Sequence, residues 1–458
     1  MVEDTIAAIA TALGEGSIAV VRVSGPQAVE CIAPLFRSKS DLREVASHTV
    51  HYGRIVDPAN DTVLDEVLVT VMRGPRSFTA EDVVEISTHG GIVAVKSVLE
   101  LVLRHGVRMA EPGEFTKRAF LNGRIDLAQA EAVIDLIRSK SERAFQVARK
   151  QVEGDLSKQI VPLRAQLIEL LAHVEVNIDY PEHDVAEVTA GVIRDTCGEA
   201  LKKVRQLLDR ANEGKILREG IVTAIIGRPN AGKSSLLNAL ARDNKAIVTD
   251  IPGTTRDIVE ESVSVGGIPL RLLDTAGIRE TTDVVEQIGV ERSLGALNDA
   301  DLILLVLNHH EPLHEDERKL LEQVKDRSTL VVVNKIDLSG SLDLDEVIAL
   351  VGQDRIVRLS AKEGTGLEEL EQAVARLFFS GTVETGDLTY VSNARHIALL
   401  HRTQISLTDA IDAADEGIPI DLIQIDIAAS WESLGEILGD SAGESLLDQI
   451  FSQFCLGK

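Results

Sequence analysis

The chain has 458 residues, 44% of them hydrophobic, more than one ordinary core would take, so two or three domains are expected. A formal net charge of −26 and a pI near 4.9 argue against broad, sequence-independent binding to nucleic acid and leave only local RNA contacts open. Three cysteines (Cys31, Cys197 and Cys455) offer neither a disulfide framework nor metal-ligand spacing, Glu3 and Asp4 make no basic leader, and no apolar run approaches membrane-spanning length. A cytoplasmic chain without a membrane partner is the expectation.

Along the chain, residues 1–118 hold short β-rich runs at 17–23 and 83–87 and a helical pattern near 93–105, which predicts a separate α+β domain. Residues 119–218 turn helical, with apolar periodicity from 142 to 217 interrupted near Asp179-Tyr180-Pro181-Glu182. From 219 to 379, strand-like runs alternate with helical patterns in the order of a doubly wound α/β domain. Helical patterning resumes in 380–458, after the turn-rich stretch 381–386. The fold class expected is therefore multidomain: an α+β amino-terminal domain, an all-α helical domain, and an α/β doubly wound P-loop domain inserted into the helical one.

The inserted section carries the most specific motif. Gly227-Arg228-Pro229-Asn230-Ala231-Gly232-Lys233-Ser234 sits between the apolar run 221–226 and the helical pattern 235–240, which is a complete G-x-x-x-x-G-K-[ST] loop in its required context. Its glycines let successive N–H groups and the helix start face phosphates, so Asn230, Ala231, Gly232, Lys233, Ser234 and Ser235 are expected around a nucleoside triphosphate. Lys233 should reach the β and γ phosphates, and Ser234 should ligate magnesium.

Asn334-Lys335-Ile336-Asp337 follows another apolar run, where a base-reading loop belongs. Guanine presents a ring N–H beside an exocyclic amine, which the Asp337 carboxylate can accept together; adenine has no such pair, so GTP is favoured. Asn334 can bond the base edge or a neighbouring loop, Lys335 can lay its stem over the ring, and Ser360, Ala361 and Lys362 can complete the pocket. Between these motifs lie two switch-like segments. The first runs Thr249, Asp250, Ile251, Pro252, Gly253, Thr254 and Thr255, and the second is Asp274, Thr275, Ala276 and Gly277. Thr255 would ligate magnesium, Asp274 would hold it through water, and Gly277 would offer its N–H to the γ-phosphate. A Gly266-Gly267 turn supplies an antiparallel edge hairpin.

Together with residues 112–132 and the ending Phe454-Cys455-Leu456-Gly457-Lys458, these motifs make the whole chain resemble the MnmE (TrmE) family of tRNA-modifying, translation-factor-related GTPases. Where small signalling GTPases place a water-orienting glutamine, this chain has Ile278, which cannot hydrogen-bond through its side chain. The resemblance implies that potassium supplies the missing positive charge, held by Asn230, Thr249, Ile251 and Thr254, and that Glu286 positions the water, acting with Lys233 and Thr255. It further implies that the amino-terminal domain forms a homodimer and binds 5-formyltetrahydrofolate or a related tetrahydrofolate through Arg22, Glu85, Arg124 and Lys458. The family often carries lysine where Arg124 stands, so the donor geometry there differs. By the same resemblance the two helical parts pack together, and an FAD-dependent MnmG-like partner acts with the chain on the wobble uridine of tRNA. Two other readings are a regulatory or assembly switch whose helices only bind a partner, and a folate-dependent transferase that uses GTP for regulation alone. The basic stretches at 138–150 and at Lys202, Lys203, Arg205 and Arg210 are either tRNA contacts or solvated helix faces.

Overall fold

Strands with one valine- and isoleucine-rich face pair into a seven-stranded amino-terminal sheet. In chain order these are β1 (Ile6–Ile9), β2 (Ile18–Ser24), β3 (Phe36–Arg37), β4 (Thr49–Asp57), β5 (Thr62–Met72), β6 (Val83–His89) and β7 (Arg108–Met109). Across the sheet they run β3-β4-β5-β6-β2-β1-β7, antiparallel except at β1–β7. Period-two alternation puts Val21, Val23, Val69, Val71, Val84 and Ile86 on one face, buried under α1 (Ala28–Ile32) and α2 (Ile92–Arg104). The opposite face carries Arg22, Glu85 and Thr70 in register, and it leaves Tyr52 65% exposed.

The computed structural model describes residues 4–179, 190–243, 261–273, 299–379 and 390–458. They fall into two units. One holds the described residues within 1–134, 151–185 and 424–458; the other holds those within 135–150 and 186–423. In the first unit the sheet is joined by α3 (Glu114–Leu121), the start of α4 (Leu127–Arg138), the whole of the long helix α6 (Asp155–Asp179) and helices near the carboxy terminus. Leu127, Ala130 and Ile134 share a core with Leu447, Phe451 and Phe454, and the Arg164 guanidinium lies 4.4 Å from the centre of the Trp431 ring.

The second unit holds a six-stranded sheet built from β8 (Ile221–Ile226), β9 (Glu261–Val265), β10 (Ile268–Leu272), β11 (Leu302–Asn308), β12 (Thr329–Asn334) and β13 (Ile356–Arg358). Its order is β13-β12-β11-β8-β10-β9, parallel except for the β9–β10 hairpin. Every residue of β11 and β12 is buried, as expected of strands covered on both faces. Leu236, Leu237, Leu370 and Val374 cover one face; Leu321, Val324, Val347 and Val351 cover the other. Gly266 and Gly267 turn the hairpin with φ of 58° and 80°, as the two glycines predict.

Helices from both sides of the α/β section also pack in this unit. α7 (Ala190–Asp209) lies along the helix Ala394–Asp415, and Arg194 pairs with Asp415. The first turns of α5 (Glu142–Val152) are built into the α/β body: Val147 belongs to its core, and Lys140, just ahead of α5, donates to Ser262 Oγ at 2.9 Å.

Gly214, in α8 (Ala211–Glu219), tests the packing of this unit, because a Cβ there would lie 2.6 Å from the Val391 carbonyl oxygen. Alanine ordinarily gains about 1 kcal/mol over glycine inside a helix. Overpacking against backbone costs about 1–3 kcal/mol and should win. Gly214→Ala is expected to lower the calorimetric unfolding midpoint; a higher midpoint would refute this close contact.

Candidate functional site

β8 delivers the phosphate loop to the carboxyl edge of the parallel sheet, and α9 (Lys233–Asp243) begins directly after it. Gly227 has φ of 144°, and a Cβ there would meet the Val306 oxygen at 2.3 Å; Gly232 has φ of 102°, and its Cβ would meet Asn334 Nδ2 at 2.1 Å. No side chain fits at either position. Asn230, between them, also takes the left-handed conformation at φ 62°, which asparagine tolerates better than most residues. Lys233 Nζ turns back to donate to the carbonyls of Gly227 at 2.7 Å and Arg228 at 2.8 Å. Burial lowers its pKa from the ordinary lysine value. Ser234 and Ser235 follow in the first turn of α9.

β12 ends at Asn334, which is 2% exposed. Its Nδ2 donates to the Ala231 carbonyl at 3.2 Å, and its Oδ1 accepts from the N–H groups of Lys335 at 2.8 Å and Ala361 at 3.1 Å. Asn334 thus bonds the neighbouring loops, one of the two roles open to it from sequence. Lys335 reaches the Asn230 carbonyl with Nζ at 2.7 Å. Asp337 Oδ1 accepts from Ser360 Oγ at 2.7 Å, and this bond, aided by the nearby charges of Lys362 and Lys335, holds the carboxyl below its ordinary pKa. This carboxylate, an acceptor only, lies two residues beyond Lys335, which reaches the phosphate loop.

Sequence reading passed over Glu311. Its carboxylate accepts from Asn308 Nδ2 at 2.6 Å and stands 3.7 Å from Arg228 of the phosphate loop, which braces that loop against the end of β11. Asn308 at a strand end was the only sequence signal for it. Thr249, Asp250, Ile251, Pro252, Gly253, Thr254, Thr255, Asp274, Thr275, Ala276, Gly277, Ile278 and Glu286 lie outside the described residues.

A second cluster forms in the first unit. Arg22 and Glu85 face each other across β2 and β6, with Nε donating to Oε1 at 2.8 Å, and Arg22 Nη1 donates to the Gly457 carbonyl at 3.2 Å. Gly457 has φ of 91°, and a Cβ would fall 2.3 Å from the Ile9 oxygen, so the Leu456-Gly457-Lys458 segment lies tight against β1. Burial and the neighbouring Arg22 charge lower the pKa of Lys458. Arg124 donates to the Phe78 carbonyl at 2.8 Å, its guanidinium 5.2 Å from the centre of the Phe78 ring.

Two residues that sequence reading missed join these parts. Phe115 lies 5.7 Å beneath the Arg22 guanidinium, donates its N–H to the Lys458 carbonyl at 3.2 Å, and shares a core with Phe78. Arg22, paired with Glu85, thus stands over Phe115 and Arg124 over Phe78, two rings of one core, and Lys458 joins them through its main-chain carbonyl. Cys455 is exposed and unpaired nearby in the chain. Among the described residues, no group of His, Cys, Asp and Glu could hold a metal ion, and no helix is long and apolar enough to cross a membrane.

Comparison with known proteins gives these two sites a common context. Residues 5–124 match the family model of the GTP-binding protein TrmE N-terminus, and residues 127–455 match that of the MnmE helical domain. The tRNA modification GTPase MnmE of Geobacillus kaustophilus is 60% identical over 99% of both chains, and that of Geobacillus thermodenitrificans is 59% identical over the same shares. A solved G domain of FeoB from Methanococcus jannaschii is 25% identical over 35% of this chain and 98% of that one, at a TM-score of 0.25. With a matching model on either side of residue 125 and relatives aligned nearly end to end, the chain is a GTPase and belongs to the MnmE (TrmE) family.

Proposed function

We propose that this GTPase acts in the cytoplasm with an FAD-bearing MnmG-like partner to place a (carboxymethyl)aminomethyl group on C5 of the wobble uridine of tRNA. The carbon comes from 5-formyltetrahydrofolate or a related tetrahydrofolate. The observation that carries this reading is the meeting of the Arg22–Glu85 pair with Phe115 and the Gly457-Lys458 segment, in a chain that also holds a GTP site. A pterin presents a guanine-like donor edge that suits Glu85, and its glutamate tail suits Arg22, Arg124 and Lys458. A GTPase that served only as a switch would have no use for such a cluster.

In this reading residues 1–118 bind folate and dimerise, 219–379 form the GTPase domain, and 119–218 with 380–458 form the helical domain into which it is inserted. The open face of the amino-terminal sheet, with Tyr52, Leu68 and Ile18 exposed, supports a second copy of the chain as its cover. The acidic balance of the chain leaves the tRNA to a local contact.

The phosphate-loop N–H groups and Lys233 hold the triphosphate, Asp337 accepts from guanine, and Ser234 and Thr255 hold magnesium. Asn230, Thr249, Ile251 and Thr254 hold potassium. That ion, when bound, supplies the positive charge at the phosphate that other GTPases take from an arginine. With Ile278 unable to orient water, Glu286 takes that role. Hydrolysis then works through conformational change and stays apart from the uridine chemistry.

Three measurements test these assignments. Gly232→Ala should abolish GTP binding in a fluorescent-nucleotide titration, because both the backbone angle and the Asn334 amide exclude a Cβ; retained binding would show that the loop relaxes freely. Glu286→Ala should bind GTP normally and hydrolyse it about 100-fold or more slowly in potassium buffer, in the range of a lost general base; wild-type turnover would remove it from the mechanism. Calorimetric titration of 5-formyltetrahydrofolate should saturate with the wild type and weaken about tenfold or more in Arg22→Ala, the loss expected of a charged hydrogen bond. A folded, GTP-competent wild type that does not bind folate would instead favour the switch reading.

A further inference from the structure

Arg118, in α3, is the largest fully buried side chain among the described residues, at 1% exposure, and the GTP site makes no use of it. Its guanidinium donates to the Asp4 carbonyl at 2.8 Å, Asp4 Oδ1 at 2.6 Å, Glu114 Oε1 at 3.0 Å and Glu81 Oε1 at 3.2 Å. Arg108 completes the group, donating to Glu114 at 2.6 Å and Asp4 at 2.7 Å. Burial works against ionisation of Asp4 and Glu114, yet the arginines, joined at Glu114 by the Glu111 N–H, outweigh it and hold both carboxyls below their ordinary values.

Such a cluster is a poor way to gain stability, because desolvating the charges offsets most of their attraction. Its connections suggest another use. Glu81 also accepts from Ser24 Oγ at 2.7 Å, and Ser24 in turn bonds Thr79 Oγ1 at 2.7 Å. Asn122, one turn beyond Arg118, donates to the Thr79 carbonyl at 2.8 Å. Ser24 lies two residues from Arg22 on β2, Thr79 is next to Phe78, and Glu114 precedes Phe115. The strand, loop and helix that present Arg22, Phe78 and Phe115 are thus linked to Arg118, directly through Glu114 or by way of Glu81 and Ser24, at positions within two residues of each group.

We propose that Arg118 is a positioning residue for the tetrahydrofolate site, holding Arg22, Phe78 and Phe115 in one geometry without touching the ligand. The proposal rests on the folate reading above. A planar fork that serves Asp4, Glu81 and Glu114 together cannot be replaced by the point charge of lysine, which has the same sign but a different donor geometry.

The test uses the full-length chain and Arg118→Lys, with thermal unfolding, GTP turnover, calorimetric titration of 5-formyltetrahydrofolate and the circular dichroism induced in the bound pterin at saturation. The expected result is a folded variant with wild-type GTP turnover, about tenfold weaker folate binding, and an altered induced spectrum at saturation. A merely structural role would change occupancy yet leave the saturated spectrum as in the wild type, and that outcome overturns the proposal. Wild-type affinity in the folded variant overturns it too. Should Arg118→Lys not fold, Ser24→Ala cuts the tie between β2 and Glu81 while leaving the arginine pairs; wild-type affinity and spectrum there also overturn it. Absence of folate binding in the wild type sinks the underlying reading, a result distinct from a wild type that binds beside a variant that binds equally well.

Discussion

The Asn334 amide uses both its donor and its acceptor side on backbone, binding the Ala231 carbonyl on one hand and the N–H groups of Lys335 and Ala361 on the other, so that the phosphate, base and 360–362 loops are fixed to one buried group. The amide nitrogen occupies the space a Cβ at Gly232 would need, which makes the glycine of the phosphate loop and the asparagine of the base loop a single steric pair. Lys335 then returns to Asn230, and Ser360 holds Asp337, so each specificity group hangs from the same junction. A buried amide left without any of these partners would cost about 1–3 kcal/mol, enough to disfavour looser arrangements.

Topology puts this junction where it is. β8 is flanked by β10 on one side and β11 on the other, so the winding direction reverses at β8 and opens a crevice at its carboxyl end. The phosphate loop leaves β8 into that crevice, and β12 brings Asn334 to the same edge. Strands buried on both faces leave little room for adjustment below, which keeps the loops in register above.

The amino-terminal cluster is built on a different principle. Its charged side chains come from separate stretches, with Arg22 over Phe115 and Arg124 over Phe78. Their mutual placement depends on strand register, since a one-residue slip would send Arg22 to the buried face of the sheet. It also depends on Gly457, which lets the chain pass close to Ile9.

The nucleotide half of this protein was legible in sequence because its chemistry is local: a glycine-rich run between a strand and a helix, then an Asn-Lys-x-Asp run after another strand, carry both geometry and ligand preference in a few consecutive residues. Fold class followed for a related reason, since apolar periodicity distinguishes doubly buried strands from amphipathic helices within a short window. Arg22, Glu85, Arg124 and Lys458 came only through resemblance, because no spacing in the chain marks residues that meet by cross-strand pairing and chain return. Phe78 and Glu311 went unread, and Phe115 and Arg118 entered only as part of the 112–132 stretch with no role of their own, each being an ordinary residue type whose meaning lies in what surrounds it. The inclusion of Val147 in the α/β core was equally hidden, as a helix pattern tells which face is buried and not against what. Local motifs determined that the chain would bind a nucleotide and which one; long-range contacts, whose partners lie up to several hundred residues apart, decided which cations gather with Glu85 in the amino-terminal cluster.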